Sequence, residues 1–251
     1  MIDTHIHADA RSSEDFEKMF ISGIDTAITC GYYPYKISNE TVLLNHLERI
    51  LNFDSKRVAK AGIEIKVALG IHPTNIIKSP EVIFERLYNY IENKSIIAIG
   101  EIGLENLTKE EISIFKKQLE IADETKTKVI IHTPRKNKLN VLKEIKSIVL
   151  ETIDPKLAVI DHVNSKVIGE IIEEDFTIGL TVQPEKMEIS EAINILKEYG
   201  CNNFLLNSDI SCMPSDPLSV PKTVRTLKNL EFDTKEIDKV AFKNALSFFN
   251  I

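Results

Sequence analysis

His5 and His7 close the opening run MIDTHIH and are the first residues of this chain able to bind a metal. In an extended strand, residues i and i+2 point to the same face, so both imidazoles can enter one site. His72 then closes VALGIHP, His132 closes KVIIHTP and His162 closes LAVIDHV. Glu101 in IIAIGEIGL and Asp209 in FLLNSDIS occupy comparable points. Imidazoles and carboxylates repeated where apolar runs stop suit a metal centre at the mouth of a parallel barrel. Converging in a buried site without a cation, they would incur a desolvation cost. One such histidine says little, since partly buried histidines are common; the ordered set points to an enzyme.

The elements that must position them alternate along the whole chain. Strands are predicted over 2–7, 24–30, 63–71, 96–101, 128–132, 157–162, 176–182 and 203–208. Runs such as Ile96-Ile97-Ala98-Ile99 and Val129-Ile130-Ile131 are nearly all apolar, as in parallel strands buried on both faces. Helix starts lie between them. Ser79-Pro80 offers a cap and a first-turn proline, Thr108 with Glu111 a capping box, and Asp233 with Glu236 another before the terminal helix. Eight strands each followed by a helix, within 251 residues, predict an α/β fold. A single (β/α)8 TIM-barrel domain over 1–251 is expected, with its active site at the C-terminal ends of the strands. The irregular stretches Gly31–Asn39, Gly103–Leu107 and Ser208–Pro221 fall on that catalytic face, and strands two and seven carry no evident ligand.

Bulk properties narrow the classes. A net charge of −7 argues against a broad nucleic-acid-binding surface, although bound cations would offset acidic ligands locally. Cys30, Cys201 and Cys212 are widely spaced and lack a CxxC pair, which disfavours a disulfide framework or zinc ribbon. No apolar run approaches the ~18 residues of a membrane span, and no leader precedes the first strand, so a cytoplasmic setting is expected.

The order His-x-His, Glu, His, His, Asp resembles the amidohydrolase superfamily and, within it, the TatD-like metal-dependent hydrolases. The carriers are Asp3-Thr4-His5-Ile6-His7, Gly70-Ile71-His72-Pro73, Gly100-Glu101-Ile102-Gly103-Leu104, Ile131-His132-Thr133, Asp161-His162 and Ser208-Asp209. The resemblance spans the chain and implies a binuclear centre of two divalent metal ions. His5, His7, Glu101 and Asp209 would hold one ion; Glu101, His132 and His162 would hold the other, with Glu101 bridging. Such a pair activates a shared water and polarises the oxygen under attack, and Asp209 would also shuttle the proton. Nitrogen and oxygen donors without thiolate suit Zn, Mn, Co, Ni or Mg.

Around this set, the resemblance makes His72 a substrate contact; a rim histidine fixing its turn is the alternative. Arg135, Lys136 and Lys138 could meet a phosphate, against a solvated helix start. Tyr32, Tyr33 and Tyr35 could stack on a base or pack around Pro34. Cys212 reads as a buried small residue. The chain departs from the family where substrate would touch. Glu105 stands where the family has Asp in GEIGLD, Val163-Asn164-Ser165 replaces a Cys-Phe-Ser-Gly-like turn, and Asn207-Ser208-Asp209 replaces Glu-Thr-Asp. The expected activity is hydrolysis of a phosphoester, a nucleic-acid 3′ end or a smaller molecule, by a metal-activated hydroxide. Amide or lactone hydrolysis and a catalytically silent metal-binding barrel are the alternatives.

Overall fold

The computed structural model describes residues 1–251. Eight parallel strands follow one another around the sheet: β1 (Ile2–Ile6), β2 (Thr26–Cys30), β3 (Glu64–Leu69), β4 (Ala98–Gly103), β5 (Lys128–His132), β6 (Ala158–Ile160), β7 (Thr177–Thr181) and β8 (Phe204–Asn207). β8 returns to β1, where Asp209 N–H donates to His5 O and His7 N–H to Ile210 O, both at 2.9 Å. The result is the nearly closed (β/α)8 barrel expected from the alternation. No helix is long and apolar enough to cross a membrane.

The outer layer contains α1 (Ser13–Ile21), α2 (Glu40–Arg49), α3 (Ser55–Lys60), α4 (Glu81–Glu92), α5 (Lys109–Thr125) and α6 (Lys138–Thr152). After β7 come α7 (Ile189–Tyr199), α8 (Ser219–Asn229), α9 (Thr234–Asp238) and α10 (Asn244–Phe249). β6 is the exception to strand-then-helix alternation, being followed by a 3-10 turn at Ile168–Glu170. Each of the three caps differs from expectation in part. Pro80 is itself the cap of α4, and its carbonyl accepts from Ile83 and Phe84; Ser79 makes no capping bond. Thr108 Oγ1 accepts from Glu111 N–H at 3.2 Å, but the Glu111 carboxylate turns to the β4–α5 loop instead of closing the box. Asp233 caps α9 as expected, accepting from Lys235 N–H, whereas Glu236 pairs with Lys239.

Two buried clusters divide the strand faces. Outward residues such as Val129, Ile131, Ile160 and Leu206 join the larger core under the helices. Ile28, Cys30, Ala68, Ala98, Ile130, Val159 and Leu205 fill the barrel with Ala245, Phe248 and Phe249 of α10. Side chains two apart share a face, so the interior rows continue upward from Ile130 to His132, Val159 to Asp161 and Leu205 to Asn207.

β1 and β4 would break this rule without a local irregularity. Ile2 and Ala98 belong to the interior cluster, so plain alternation would turn His5 and Glu101 outward. In β1 the pairing shifts from Asp3↔Ala27 to Ile6↔Thr29, and in β4 from Ile99↔Val129 to Ile102↔Ile131. Each shift inserts one residue, as a bulge does, and exchanges the faces beyond it. His5, His7 and Glu101 thereby enter the barrel mouth.

Candidate metal centre

Glu101 is the hub of the site. Its carboxylate is 2% exposed, and His132 Nδ1 and His162 Nε2 lie 2.8 and 2.9 Å from Oε1. On the Oε2 side, His5, His72 and His7 present Nε2 at 3.3, 3.6 and 3.7 Å. His7 Nε2 also lies 3.1 Å from Asp209 Oδ1. Burial would raise the Glu101 pKa, but His5, His132 and His72 outweigh it and hold the carboxyl well below its usual range. For Asp209 burial is likewise outweighed, first by Lys186 and then by His7.

The outer nitrogens of four histidines each have a partner of their own. His5 Nδ1 donates to Asp161 Oδ2 at 2.7 Å and His7 Nδ1 to the Cys30 carbonyl at 3.1 Å. His162 Nδ1 meets Thr181 Oγ1 at 2.7 Å, and His132 Nε2 meets Glu105 Oε2 at 2.9 Å. Each ring is therefore held on its far side, with its other nitrogen turned to Glu101 or Asp209. His5 Nε2 is buried and without a hydrogen-bond partner. That orphan atom, facing a carboxylate amid three further imidazoles, fits a cation. His5, His7 and Asp209 bring donor atoms within 4.8 Å of one another, as do His5, Glu101 and His162, and His72, Glu101 and His132.

His72 differs from the other four. Its Nδ1 accepts from Thr74 N–H at 3.1 Å, so the neutral ring carries its proton on Nε2, toward Glu101. Burial holds its pKa well below the usual histidine value. This ring therefore offers a proton donor toward Glu101.

Backbone geometry completes the centre. His162 and Asp209 lie two residues past β6 and β8, with φ of 61° and 44°. Both strands thus stop earlier than the sequence suggested, and a left-handed residue turns each side chain over the mouth. Such conformations are costly for residues with a Cβ and cluster at functional sites. β7, which carries no ligand candidate, still serves the centre. A Cβ at Gly179 would lie 1.5 Å from Asp161 Oδ1, so glycine makes room for the carboxylate that holds His5.

The site opens into a cavity of about 450 Å³. Arg135, Lys136 and Lys186 line it together with Tyr32, Glu105 and Asn106. Arg135 reaches Gln183 at 3.2 Å and Glu185 at 3.3 Å. Lys186 Nζ contacts Asp209 Oδ2, and Gln183 holds the same oxygen at 3.2 Å. Lys138 is half-buried and its amine turns inward, contrary to a solvated helix start. Its Nζ donates to Thr133 Oγ1 and His162 O at 2.8 Å, and burial with the nearby Lys186 pushes its pKa down to about 7. Of the three tyrosines, Tyr32 reaches the cavity, packing 5.3 Å from His7 and 4.9 Å from His72. Tyr33 packs on His46 at 5.0 Å, and Tyr35 is exposed. Cys212 is exposed, correcting its expected burial, because the β8–α8 loop lies outside the core.

Glu105, Thr181, Gln183 and Lys186 are the contributors that residue patterns did not reveal as site residues. The signal for Glu105 was its departure from a family motif. Gln183 and Lys186 follow β7 in a loop whose approach to Asp209 no local pattern specifies.

Comparison with known proteins agrees with this geometry. The family model described as TatD related DNase matches residues 2–250. An uncharacterised metal-dependent hydrolase of Methanocaldococcus jannaschii is 42% identical over 253 residues, covering all of both chains. A second from the same organism is 25% identical over 194 residues, covering 74% of this chain and 76% of that one. The crystal structure of the TatD-like protein from Archaeoglobus fulgidus superimposes with a TM-score of 0.84 at 30% identity over the full length of both. The phosphotriesterase homology protein of Escherichia coli shares the fold, with a TM-score of 0.71 at 12% identity, covering 99% of this chain and 98% of that one. A family match over nearly the whole chain, joined to a full-length relative described as a metal-dependent hydrolase, identifies this chain as a member of the TatD-related DNase family and a metal-dependent hydrolase.

Proposed function

We propose that the chain is a binuclear phosphoesterase acting on a phosphodiester or phosphomonoester, with a DNA or nucleotide 3′ end as the leading substrate. One ion would be held by His5, His7, Glu101 and Asp209, the second by Glu101, His132 and His162, with Glu101 between them. The observation that carries the substrate class is the wall of the cavity. Arg135, Lys136 and Lys186 line the same space as Glu101 and Asp209, where an amide or lactone site would favour apolar walls.

Divalent ions held by these residues would lower the pKa of a bound water and polarise the phosphoryl oxygen. The chain's own groups supply the rest. Asp209, kept ionised, accepts the proton of the attacking water and returns it to the leaving oxygen. His72 donates from Nε2 to a phosphoryl oxygen, and Arg135 can take two oxygens through its fork. Residues 1–251 would act as one domain, because strands from both ends of the chain contribute to the centre.

Metal analysis combined with hydrolysis of phosphodiester, phosphomonoester and lactone substrates tests this proposal, with Asp209→Asn as control. Two ions per chain, phosphoester turnover lost on chelation and restored by Mn or Zn, and loss of at least 100-fold in Asp209→Asn are expected. One ion per chain would remove the bridging role of Glu101. Full activity of Asp209→Asn would overturn the proton-transfer role, and lactone turnover alone would overturn the substrate class.

A further inference from the structure

A second, smaller cavity of about 70 Å³ lies between the β5–α6 and β7–α7 loops, with no apolar residue in its lining. Thr133, Arg135, Lys138, Asn164, Glu185 and Lys186 surround it. His162, Arg135 and Lys186 line both this space and the main cavity, so the two are contiguous.

The charge of this recess is net positive. Three cations face it; Arg135 is paired at the rim with Glu185 at 3.3 Å and Lys186 with Asp209, which leaves Lys138 as the uncompensated one. Lys138 has no carboxylate within ion-pair distance; its Nζ is fixed by Thr133 Oγ1, Thr133 O and His162 O at 2.8, 3.2 and 2.8 Å. A half-buried amine held only by neutral acceptors has no carboxylate to compensate it, and an anion entering the recess would favour its charged form. The volume admits a group the size of one phosphate and excludes a nucleobase.

We propose that this cavity is an anion subsite for a second phosphate of the substrate, next to the phosphate undergoing hydrolysis. The inference rests on the phosphoesterase reading and specifies its substrate: two phosphates separated by about one sugar, as at a polynucleotide end or in a sugar bisphosphate. Lys138 and Lys186 supply charge, while Arg135 and Asn164 supply hydrogen-bond donors. A simple phosphomonoester would leave the recess to water.

Calorimetric titration of the metal-loaded protein tests this without relying on turnover. Thymidine 3′,5′-bisphosphate, thymidine 5′-monophosphate, thymidine 3′-monophosphate and ribose 1,5-bisphosphate are the probes. The nucleoside bisphosphate is expected to bind at least tenfold more tightly than either monophosphate. That advantage should fall to within twofold in Lys138→Met, and also in Asn164→Leu, which narrows the recess without removing a charge. Equal affinities in the unsubstituted protein, or an advantage kept in both variants, would overturn the subsite. An equal gain with ribose 1,5-bisphosphate supports the subsite and assigns it to sugar phosphates; a gain limited to the nucleoside supports it and assigns it to nucleic-acid ends. Phosphodiester turnover is measured in parallel. Its absence with the binding advantage intact would overturn the phosphoesterase reading alone, and its presence with equal affinities would overturn the subsite alone.

Discussion

Glu105 Oε2 lies 2.9 Å from His132 Nε2, on the side of the ring opposite Glu101. With Nδ1 2.8 Å from Glu101, His132 is held between two carboxylates, and burial is outweighed by Glu101 and Glu105 so that its pKa rises. Glu105 lies two residues past β4 and reaches the ring from the β4–α5 loop. Outer carboxylates of this kind fix the orientation and basicity of a ligating imidazole.

Removal of that carboxylate should loosen metal binding without unfolding the barrel. Glu105→Ala is expected to weaken affinity at the second position by roughly 10–100-fold. Titration against a chromophoric chelator measures the loss, and an unchanged circular dichroism spectrum confirms the fold. Glu105→Asp should recover part of it. Unaltered affinity in Glu105→Ala would remove the positioning role.

The loop that presents Glu105 depends on Glu111. Glu111 Oε2 accepts from the backbone N–H groups of Glu105, Asn106 and Leu107 at 3.0, 2.8 and 3.1 Å. Glu111→Ala would leave these amides without their acceptor and should destabilise the protein by ~2–3 kcal/mol, since unsatisfied partners of a charged group are costly. Chemical denaturation reads the shift in midpoint. Glu111→Gln should lose less, because one amide oxygen still accepts.

Lys186 contacts Asp209 Oδ2 and is its leading stabiliser as an anion. A cation placed on Asp209 must share the carboxylate with that ammonium. Lys186→Met is therefore expected to tighten metal binding at the first position by roughly tenfold, ~1.4 kcal/mol, while raising KM for phosphoesters. Weaker metal binding in this variant would show that Lys186 supports the centre rather than competing with the ion.

Thiol chemistry checks the packing independently. Cys212 is exposed, whereas burial pushes the Cys30 and Cys201 thiols each up to about 11. Thiolate is the reactive form, so a disulfide reagent near pH 7 should label one cysteine rapidly and two only on unfolding. Mass spectrometry of the labelled peptides should place the fast site at Cys212. Rapid labelling of Cys30 would contradict its place inside the barrel.

The sequence by itself determined the repeating strand and helix pattern, the order of ligand types along it, and the spacing of His5 and His7. These are local properties: apolar runs, period-two geometry and turn residues are written within a few positions of one another. It could not determine which face each ligand would take. Only the pairing of β1 with β2 and of β4 with β5 decided that, because a one-residue shift in each register turns His5, His7 and Glu101 inward. His72 shows the same limit at the level of a single proton. Its type and place suited a ligand, a rim group or a substrate contact, and the bond from Thr74 N–H fixes which nitrogen carries hydrogen. Gln183 and Lys186 reach Asp209 from the loop after β7, across 26 and 23 positions of sequence, and Glu105 reaches His132 across 27. Contacts of that range exist only once the barrel closes, so the chemistry was legible in residue types and its orientation was set by tertiary packing.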